Sequence, residues 1–228
     1  MRDGAPAGPR LAVFDCDGTL VDSQHVIIAC MHAAFASERL TAPDGEAVRR
    51  LVGLPLTDIV ARLARVDGVA DPARLARIVE TYRESFSTLR QRADHHEPLY
   101  PGCLAALAAI EAQGWLLGIA TGKTRRGLDA VLERHGLAGR FVTLQTGDLG
   151  PGKPHPAMLV RALSETGVEL RNAVMIGDTT YDMEMAVSAG VAGIAVAWGY
   201  HPTPELVAAG ATALVEHFDD LPGLLTQR

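Results

Sequence analysis

The residues best suited to chemistry come early in the chain, in Asp15-Cys16-Asp17-Gly18-Thr19, which directly follows the apolar run Leu11-Ala12-Val13-Phe14. Two carboxylates two positions apart at the end of a buried strand are costly, because each is more stable when hydrated. A hard divalent cation compensates such a pair, since it binds oxygen ligands. Gly18 permits a sharp turn in which backbone N–H groups face an anion. The segment therefore predicts an oxygen-rich metal site directed at phosphate.

Three further polar segments, each after an apolar run, supply what a phosphoryl-transfer site still needs. Thr121-Gly122-Lys123 offers a hydroxyl, Gly152-Lys153-Pro154 a cation, and Gly177-Asp178 with Asp182 more carboxylate. Residues that follow separate strands of an open α/β sheet converge at its carboxyl edge. We therefore expect all four segments to form a single site.

In this order the segments resemble the haloacid dehalogenase superfamily of phosphatases, specifically its members with a helical cap inserted after the first motif. The likeness runs from about Leu11 to Leu225, and is greatest to phosphoglycolate phosphatase-type hydrolases. It implies an α/β fold: a doubly wound, Rossmann-like parallel sheet as the core, with an inserted α-helical cap domain. The sequence departs from the family pattern at Gly122, where many relatives carry Asn.

The resemblance also implies a reaction, the hydrolysis of a small phosphate monoester through an aspartyl-phosphate, with 2-phosphoglycolate as one candidate substrate. It makes Asp15 the nucleophile, although spacing alone does not decide between Asp15 and Asp17. Asp17 would protonate the leaving alkoxide and later deprotonate the attacking water. Thr121, the N–H of Gly122 and Lys153 would bind the transferred phosphoryl group.

Mg²⁺ is the cofactor that the resemblance implies. Its expected ligands are a carboxylate oxygen of Asp15, the main-chain carbonyl of Asp17 and the carboxylate of Asp178, because Mg²⁺ prefers near-octahedral oxygen coordination. Asp182 lies about one helical turn after Asp178 and is assigned to orient metal-bound water or Lys153. In a purely structural alternative, Asp178 and Asp182 instead stabilise the start of the following helix.

A long stretch between the first and second motifs is helical in pattern, since apolar residues recur at three- and four-residue intervals. Gly53-Leu54-Pro55 should interrupt this pattern, and Asp71-Pro72 should begin a new helix. The predicted helical segments are Ser23–Ser37, Glu46–Val66 and Pro72–His96.

From Pro98 onward apolar runs alternate with helical patterns, which predicts a parallel sheet. We expect a catalytic core of residues 10–20 and 98–228 and a helical cap of residues 21–97. Substrate selection would come mainly from the cap, where Arg49 and Arg50 are candidates to bind a second anionic group. The alternative is that both arginines are solvated surface residues.

Composition limits the classes of partner. The chain has 228 residues, 48% hydrophobic and 21% charged, as in ordinary globular proteins. Its formal net charge of −6 argues against nucleic-acid or anionic-membrane partners. No stretch reaches the roughly twenty apolar residues of a membrane span, and residues 1–9 predict a loose tail rather than a signal peptide. We expect a small phosphorylated metabolite as partner and a cytoplasmic location, with monomer and homodimer both open.

The two lysines of the chain, Lys123 and Lys153, both fall within the motifs, whereas every other basic residue is arginine. The ammonium group of lysine is a compact point charge, whereas the charge of the arginine guanidinium is spread over a planar group. A chain that otherwise uses arginine could keep lysine where a compact charge is needed. The pattern favours a functional role for Lys153. For Lys123, the pattern is equally consistent with a functional role and with a structural one, as a helix cap or a surface ion pair.

Three other functions fit parts of the pattern. A phosphosugar mutase of the same superfamily would share the core motifs, but Thr19 occupies a position where such mutases often carry valine. A dehalogenase is disfavoured because Asp17 completes the metal site. A phospho-Asp receiver or binding module uses similar residue types, but its acidic pair comes early, whereas here Asp178 and Asp182 come late.

Overall fold

The structure, a computed structural model, describes residues 8–92 and 96–228 and is centred on a six-stranded sheet. The strands are β1 (Arg10–Phe14), β2 (Trp115–Ala120), β3 (Thr143–Gln145), β4 (Ala173–Gly177), β5 (Ala192–Val196) and β6 (Ala213–Val215). All neighbouring strands are parallel, in the order β3-β2-β1-β4-β5-β6. This is the strand order of a doubly wound α/β fold.

Helices connect the strands and form a separate group between β1 and β2. The α-helices in the described part of the chain are α1 (Gln24–Ser37), α2 (Gly45–Arg49), α3 (Leu56–Ala64), α4 (Pro72–Arg90), α5 (Cys103–Ala112), α6 (Arg125–Arg134), α7 (Ala157–Thr166), α8 (Thr180–Ala189), α9 (Thr203–Ala208) and α10 (Leu221–Thr226). Short 3₁₀ turns lie at Arg65–Asp67, Leu170–Asn172 and Phe218–Asp220.

The strands are nearly continuous apolar runs because both faces of the sheet are covered. Ala12 and Phe14 of β1 pack with residues of α5, α6 and α10 on one face. Leu11 and Val13 pack with residues of α7 and α8 on the other. A parallel sheet with helices on both faces confirms the predicted fold class.

The group formed by α1, α2, α3 and α4, here called the cap, has its own apolar core. Asp71 starts α4 by accepting the Ala73 N–H at 3.1 Å, with Pro72 as its first residue, as predicted. Gly53-Leu54-Pro55 separates α2 from α3, also as predicted. The large buried members of the cap core are Met31, Phe35, Val60, Ile78 and Phe86.

The chain enters and leaves the cap along two segments that lie side by side. Asp22 N–H donates to Pro98 O at 2.9 Å, and Tyr100 N–H donates to Leu20 O at 3.0 Å. The four cap helices fall within the predicted insertion of residues 21–97, and the boundary itself stays a prediction.

Two predictions touch residues that the structure does not describe. The predicted helix Pro72–His96 ends at Arg90 in α4, and residues 93–95 of that prediction lie outside the described residues. The loose tail predicted for residues 1–9 lies outside them up to residue 7. Among the helices of the described chain, none has the length and apolar character needed to cross a membrane.

A substitution in α5 tests the core packing. Leu107 is fully buried on the sheet, whereas Leu104 in the same helix is 49% exposed. We expect Leu107→Ala to lower the free energy of unfolding by about 2–5 kcal/mol, since it leaves a cavity. The matched control Leu104→Ala should change it by about 0.5 kcal/mol or less. Urea denaturation measures both, and equal effects would contradict the packing described here.

Candidate active site

The ends of three adjacent strands bring the predicted motifs to one edge of the sheet. In the parallel register Phe14 of β1 lies opposite Ile119 of β2 and Ile176 of β4. Asp15 follows Phe14 directly, and Thr121 and Asp178 come two positions after Ile119 and Ile176. All three residues therefore lie just beyond this edge. The central strand β1 has sequence-distant neighbours on both sides, and ligands of doubly wound folds bind at such a position.

Asp15 and Lys153 form an ion pair in the interior of this edge. Lys153 Nζ lies 2.8 Å from Asp15 Oδ1 and 2.6 Å from Asp182 Oδ1, and all three side chains are fully buried. Burial raises the pKa of Asp15 well above its ordinary value, and Lys153 opposes that rise. Burial alone would lower the pKa of Lys153, but Asp15 and Asp182 outweigh it and the net shift is upward.

Asp178 is held by two hydrogen bonds and by close packing. Thr19 Oγ1 donates to Asp178 Oδ1 at 2.7 Å, and the Tyr200 N–H donates to Oδ2 at 2.9 Å. A Cβ atom on Gly18, whose φ is +80°, would lie 2.2 Å from Asp178 Oδ2, and one on Gly199 would lie 2.1 Å from Asp178 Cβ. Glycine is therefore required on both sides of this carboxylate.

Asp182 has two tasks in the structure. Its Oδ2 accepts the Thr179 N–H at 3.1 Å while its own N–H donates to Thr179 Oγ1 at 3.3 Å, which forms a capping box at the start of α8. The same Oδ2 also accepts the Thr179 hydroxyl at 2.7 Å. Its Oδ1 contacts Lys153 Nζ. Asp182 thus lies in the first turn of a helix and beside Lys153, but it is buried rather than solvated.

The carboxylates of Asp15, Asp178 and Asp182 form a group suited to a hard cation. One oxygen from each lies within 4.8 Å of the others. Asp15 Oδ2 is buried without a hydrogen-bond partner, so it remains available to a ligand. An all-oxygen donor set matches Mg²⁺ better than softer metals. The residues present therefore fit the implied cofactor.

Asp17 has a different environment from Asp15. Its Oδ1 accepts a short hydrogen bond from the Ser23 hydroxyl and lies 2.8 Å from Lys123 Nζ. Ser23 Oγ also lies 3.2 Å from the Tyr200 hydroxyl, and the Lys123 ammonium stands 4.9 Å from the centre of the Phe86 ring of the cap. The side chain of Asp17 is thus held by residues from both core and cap.

A cavity of about 640 Å³ lies between the cap and the core and reaches Asp17. Core residues Gly122 and Lys123 line one side, while Gly53 and Leu54 of the cap line the other. Thr121 is buried beside this wall, with its Oγ1 accepting the Lys123 N–H at 3.2 Å. The basic residues along the cavity are Arg83, Arg90, Lys123 and Arg126.

Arg49 and Arg50 do not lie where the sequence interpretation placed them. Of the described residues that line the cavity, neither is one. Arg49 pairs with Glu46 one turn away on the helix, and the Arg50 guanidinium pairs with Glu205 of the core at 2.7 Å. Their partners Glu46 and Glu205 are not among the described residues that line the cavity, so these ion pairs hold both guanidinium groups outside it.

The residues that sequence reasoning missed surround the motif carboxylates. Thr19 was used as a family discriminator, but it is a hydrogen-bond donor to Asp178. Phe86 gave no signal, and the contact between Tyr200 and Ser23 was not predicted, because both depend on the packing of distant segments. Lys123 was left open and lies against Asp17. The feature of the sequence that pointed to Lys123 is that it is one of only two lysines in the chain.

The chain belongs to the haloacid dehalogenase-like hydrolase family, whose model matches residues 12–196. It is 35% identical over 228 residues to a phosphoglycolate phosphatase of Rhodospirillum rubrum, covering 93% of this chain and 89% of that protein. It is 33% identical over 216 residues to "Probable phosphatase IndB" of Dickeya dadantii, covering 93% and 92%. A hydrolase from Pseudomonas syringae has a similar fold, with a TM-score of 0.85 at 24% identity over 96% and 98% of the two chains. The predicted superfamily and the prediction of an enzyme are confirmed.

Asp178 predicts a pH dependence of cation binding. Burial, followed by the charge of Asp182, raises the pKa of Asp178 to about 7. Mg²⁺ requires the deprotonated carboxylate, so protons compete with it as the pH falls below that value. Asp15, whose pKa is also raised, adds to this competition, so we expect the apparent affinity for Mg²⁺, measured by calorimetry, to fall as the pH decreases through about 7. Asp178→Asn should bind weakly at every pH, and a pH-independent affinity in the unsubstituted protein would contradict the prediction.

Proposed function

We propose that the chain is a Mg²⁺-dependent phosphatase that hydrolyses a small phosphate monoester through an aspartyl-phosphate on Asp15. One observation carries this proposal: a buried carboxylate with a free oxygen, Asp15 Oδ2, is fixed beside a buried ammonium at the end of the central strand. A carboxylate can act as a nucleophile at neutral pH without a separate activating base. The family membership and the named phosphatases among the relatives support the same reaction.

In the first half-reaction Asp15 Oδ2 attacks phosphorus and the bond from phosphorus to the ester oxygen breaks. Asp17 gives a proton to the departing alkoxide, since its carboxyl group faces the cavity from which the alcohol leaves. Lys153, the Thr121 hydroxyl and the N–H of Gly122 stabilise the negative charge on the transferred phosphoryl oxygens. The product of this step is an aspartyl-phosphate and a free alcohol.

In the second half-reaction a water molecule attacks the aspartyl-phosphate, and Asp17 takes its proton. The acyl phosphate is cleaved, Asp15 returns to its carboxylate form and inorganic phosphate leaves. Mg²⁺ held by Asp15, the Asp17 carbonyl and Asp178 would screen the repulsion between the anionic nucleophile and the anionic phosphate. Asp182 keeps the Lys153 ammonium in place through both steps.

The cavity reaches Asp17 and is lined by both core and cap, so it is the place where we propose that a small phosphate ester binds. We propose 2-phosphoglycolate as the first candidate, supported by a relative of that activity. Its own carboxylate would meet the basic residues along the cavity, of which Lys123 is nearest to Asp17. A cytoplasmic location stays a prediction from the sequence.

A nucleophile substitution tests the proposed reaction. Asp15→Asn keeps the size of the side chain but removes the attacking oxyanion, so turnover should fall at least about a thousandfold. Phosphate release from a panel of small phosphate esters with Mg²⁺ measures this, and a chelator should abolish release from the unsubstituted protein. Undiminished release from Asp15→Asn would refute the assignment. Isomer formation without phosphate release would identify a mutase, and a stable phospho-Asp15 would identify a receiver module.

Lys123 generates a second test, because it holds the Asp17 carboxylate. We propose that it positions Asp17 for proton transfer. Lys123→Met keeps the chain length and removes the charge, and we expect kcat to fall by about 10–100-fold. The control Lys123→Arg, which retains the charge, should recover part of that loss. Steady-state kinetics on the best ester measures both, and a change in KM alone, with kcat unaltered, would contradict the positioning role.

A further inference from the structure

Two glycines of the core, Gly122 and Gly152, have no conformational need for glycine. Neither has a φ in the left-handed region, unlike Gly18 or Gly53. Any L-residue could therefore adopt their backbone angles. What excludes a side chain at these positions is steric contact with neighbouring atoms. Both lie in the motif loops, directly after Thr121 and directly before Lys153.

The space is taken by the cap loop Gly53-Leu54-Pro55. A Cβ atom on Gly122 would lie 2.5 Å from the Leu54 carbonyl oxygen and 2.9 Å from that of Gly53. A Cβ atom on Gly152 would lie 2.4 Å from Pro55 Cγ. Real Cβ atoms essentially never approach other atoms within 3.0 Å. We call Gly122 and Gly152 the glycine seat, because the cap loop rests on them.

The core side of this contact has no room to recede. A Cβ atom on Gly147 would lie 2.5 Å from the Gly122 carbonyl oxygen, so the next loop packs tightly behind Gly122. The Gly147 N–H donates to the carbonyl oxygen of Lys123 at 2.8 Å, which ties these two loops together. Gly122 therefore cannot move away from the cap loop without disturbing the close packing behind it.

The cap side is anchored as well, by Arg50. Its carbonyl oxygen accepts the Tyr181 hydroxyl at 3.1 Å. His201 Nδ1 accepts the Thr180 N–H, so Nε2 carries the ring proton and donates it to the same Arg50 carbonyl at 3.1 Å. The Arg50–Glu205 ion pair adds a third contact to the core. These bonds hold the segment just before the cap loop against the core, so a side chain at the seat must displace the cap loop against them.

The seat borders the cavity, since Gly53, Leu54 and Gly122 all line it. We propose that Gly122 and Gly152 set how closely the cap closes over Asp17, and that this close approach restricts the enzyme to phosphate esters with a small alcohol portion. The inference rests on the proposed phosphatase function and adds the residues that determine substrate size. It also explains the departure from the family pattern, because the side chain of Asn at position 122 has no room beneath the carbonyl of Leu54.

The test compares a small ester with a bulky one. Gly122→Ala and Gly152→Ala each place a methyl group under the cap loop, and Gly122→Ala keeps the N–H at that position. For each variant the ratio of kcat/KM for 2-phosphoglycolate to kcat/KM for p-nitrophenyl phosphate should fall by at least about tenfold, since a small displacement of the closing element misplaces the small substrate most. Amide hydrogen exchange of residues 50–56 should become faster, as a measure that needs no activity.

A compensating substitution makes the test specific. The atoms that Gly152→Ala would meet first are Pro55 Cγ and Cδ, whereas Pro55 Cβ would lie at 3.8 Å, an ordinary contact. Pro55→Ala removes Cγ and Cδ, so the double variant Gly152→Ala/Pro55→Ala should regain the original substrate ratio. Gly223→Ala in α10, where a Cβ atom meets nothing within 4 Å, is the matched control and should change neither the ratio nor the exchange rates.

The outcomes separate the inference from the function on which it rests. If the unsubstituted protein releases phosphate from neither ester, the proposed function fails. If it hydrolyses either ester and both glycine variants keep its substrate ratio, the function stands and the glycine seat is refuted. An altered ratio in Gly152→Ala that Pro55→Ala does not restore would also refute it, because contact with the proline ring would then not be the cause.

Discussion

The structure depends on one buried ammonium, that of Lys153, which lies between the carboxylates of Asp15 and Asp182. Charges this far from water each cost several kcal/mol in lost hydration, and a group left without its partner costs about 3–5 kcal/mol. With Asp178 included, three carboxylates share this region with a single ammonium. The arrangement is therefore short of positive charge, and the proposed divalent cation would supply what is missing. The same imbalance that destabilises the fold would then create the affinity for that cation.

The elements around this group are arranged to bring carboxylates together rather than to separate them. Glycine allows the close approach: a Cβ atom on Gly177 would lie 2.4 Å from Asp182 Cγ, and one on Gly18 would overlap Asp178. Asp182 also completes the capping box at the start of α8, so the first turn of the helix that packs on β4 contains a residue of the site. Folding of this part of the core and assembly of the charged group are the same event, because the strand end, the turn and the helix start share their side chains.

The sequence allowed much of this to be predicted, and the limits have a physical cause. Asp15, Lys153 and Asp178 were predictable because each directly follows a short apolar run or turn, so their position depends on local structure and on the parallel sheet. The ion pair of Arg50 with Glu205 was not predictable. It depends on how the end of α2 packs against a part of the core that is distant in sequence. The contact of Tyr200 with Ser23 depends on packing in the same way. The local sequence pattern predicted which residues follow the strands. The contacts between cap and core could be seen only in the three-dimensional structure.

Tyr200 belongs to the core by sequence, yet its ring is buried in the apolar cluster of the cap. Its backbone N–H holds Asp178, and its hydroxyl touches Ser23 at the entrance to the cap. A single residue thus joins the hydrophobic interior of the cap to the Asp178 carboxylate of the core. For protein engineering, this means that the cap is not a freely interchangeable module: a chimera that takes its cap from a relative must also recruit the loop that carries Tyr200, or the transplanted helices would lose a piece of their own interior.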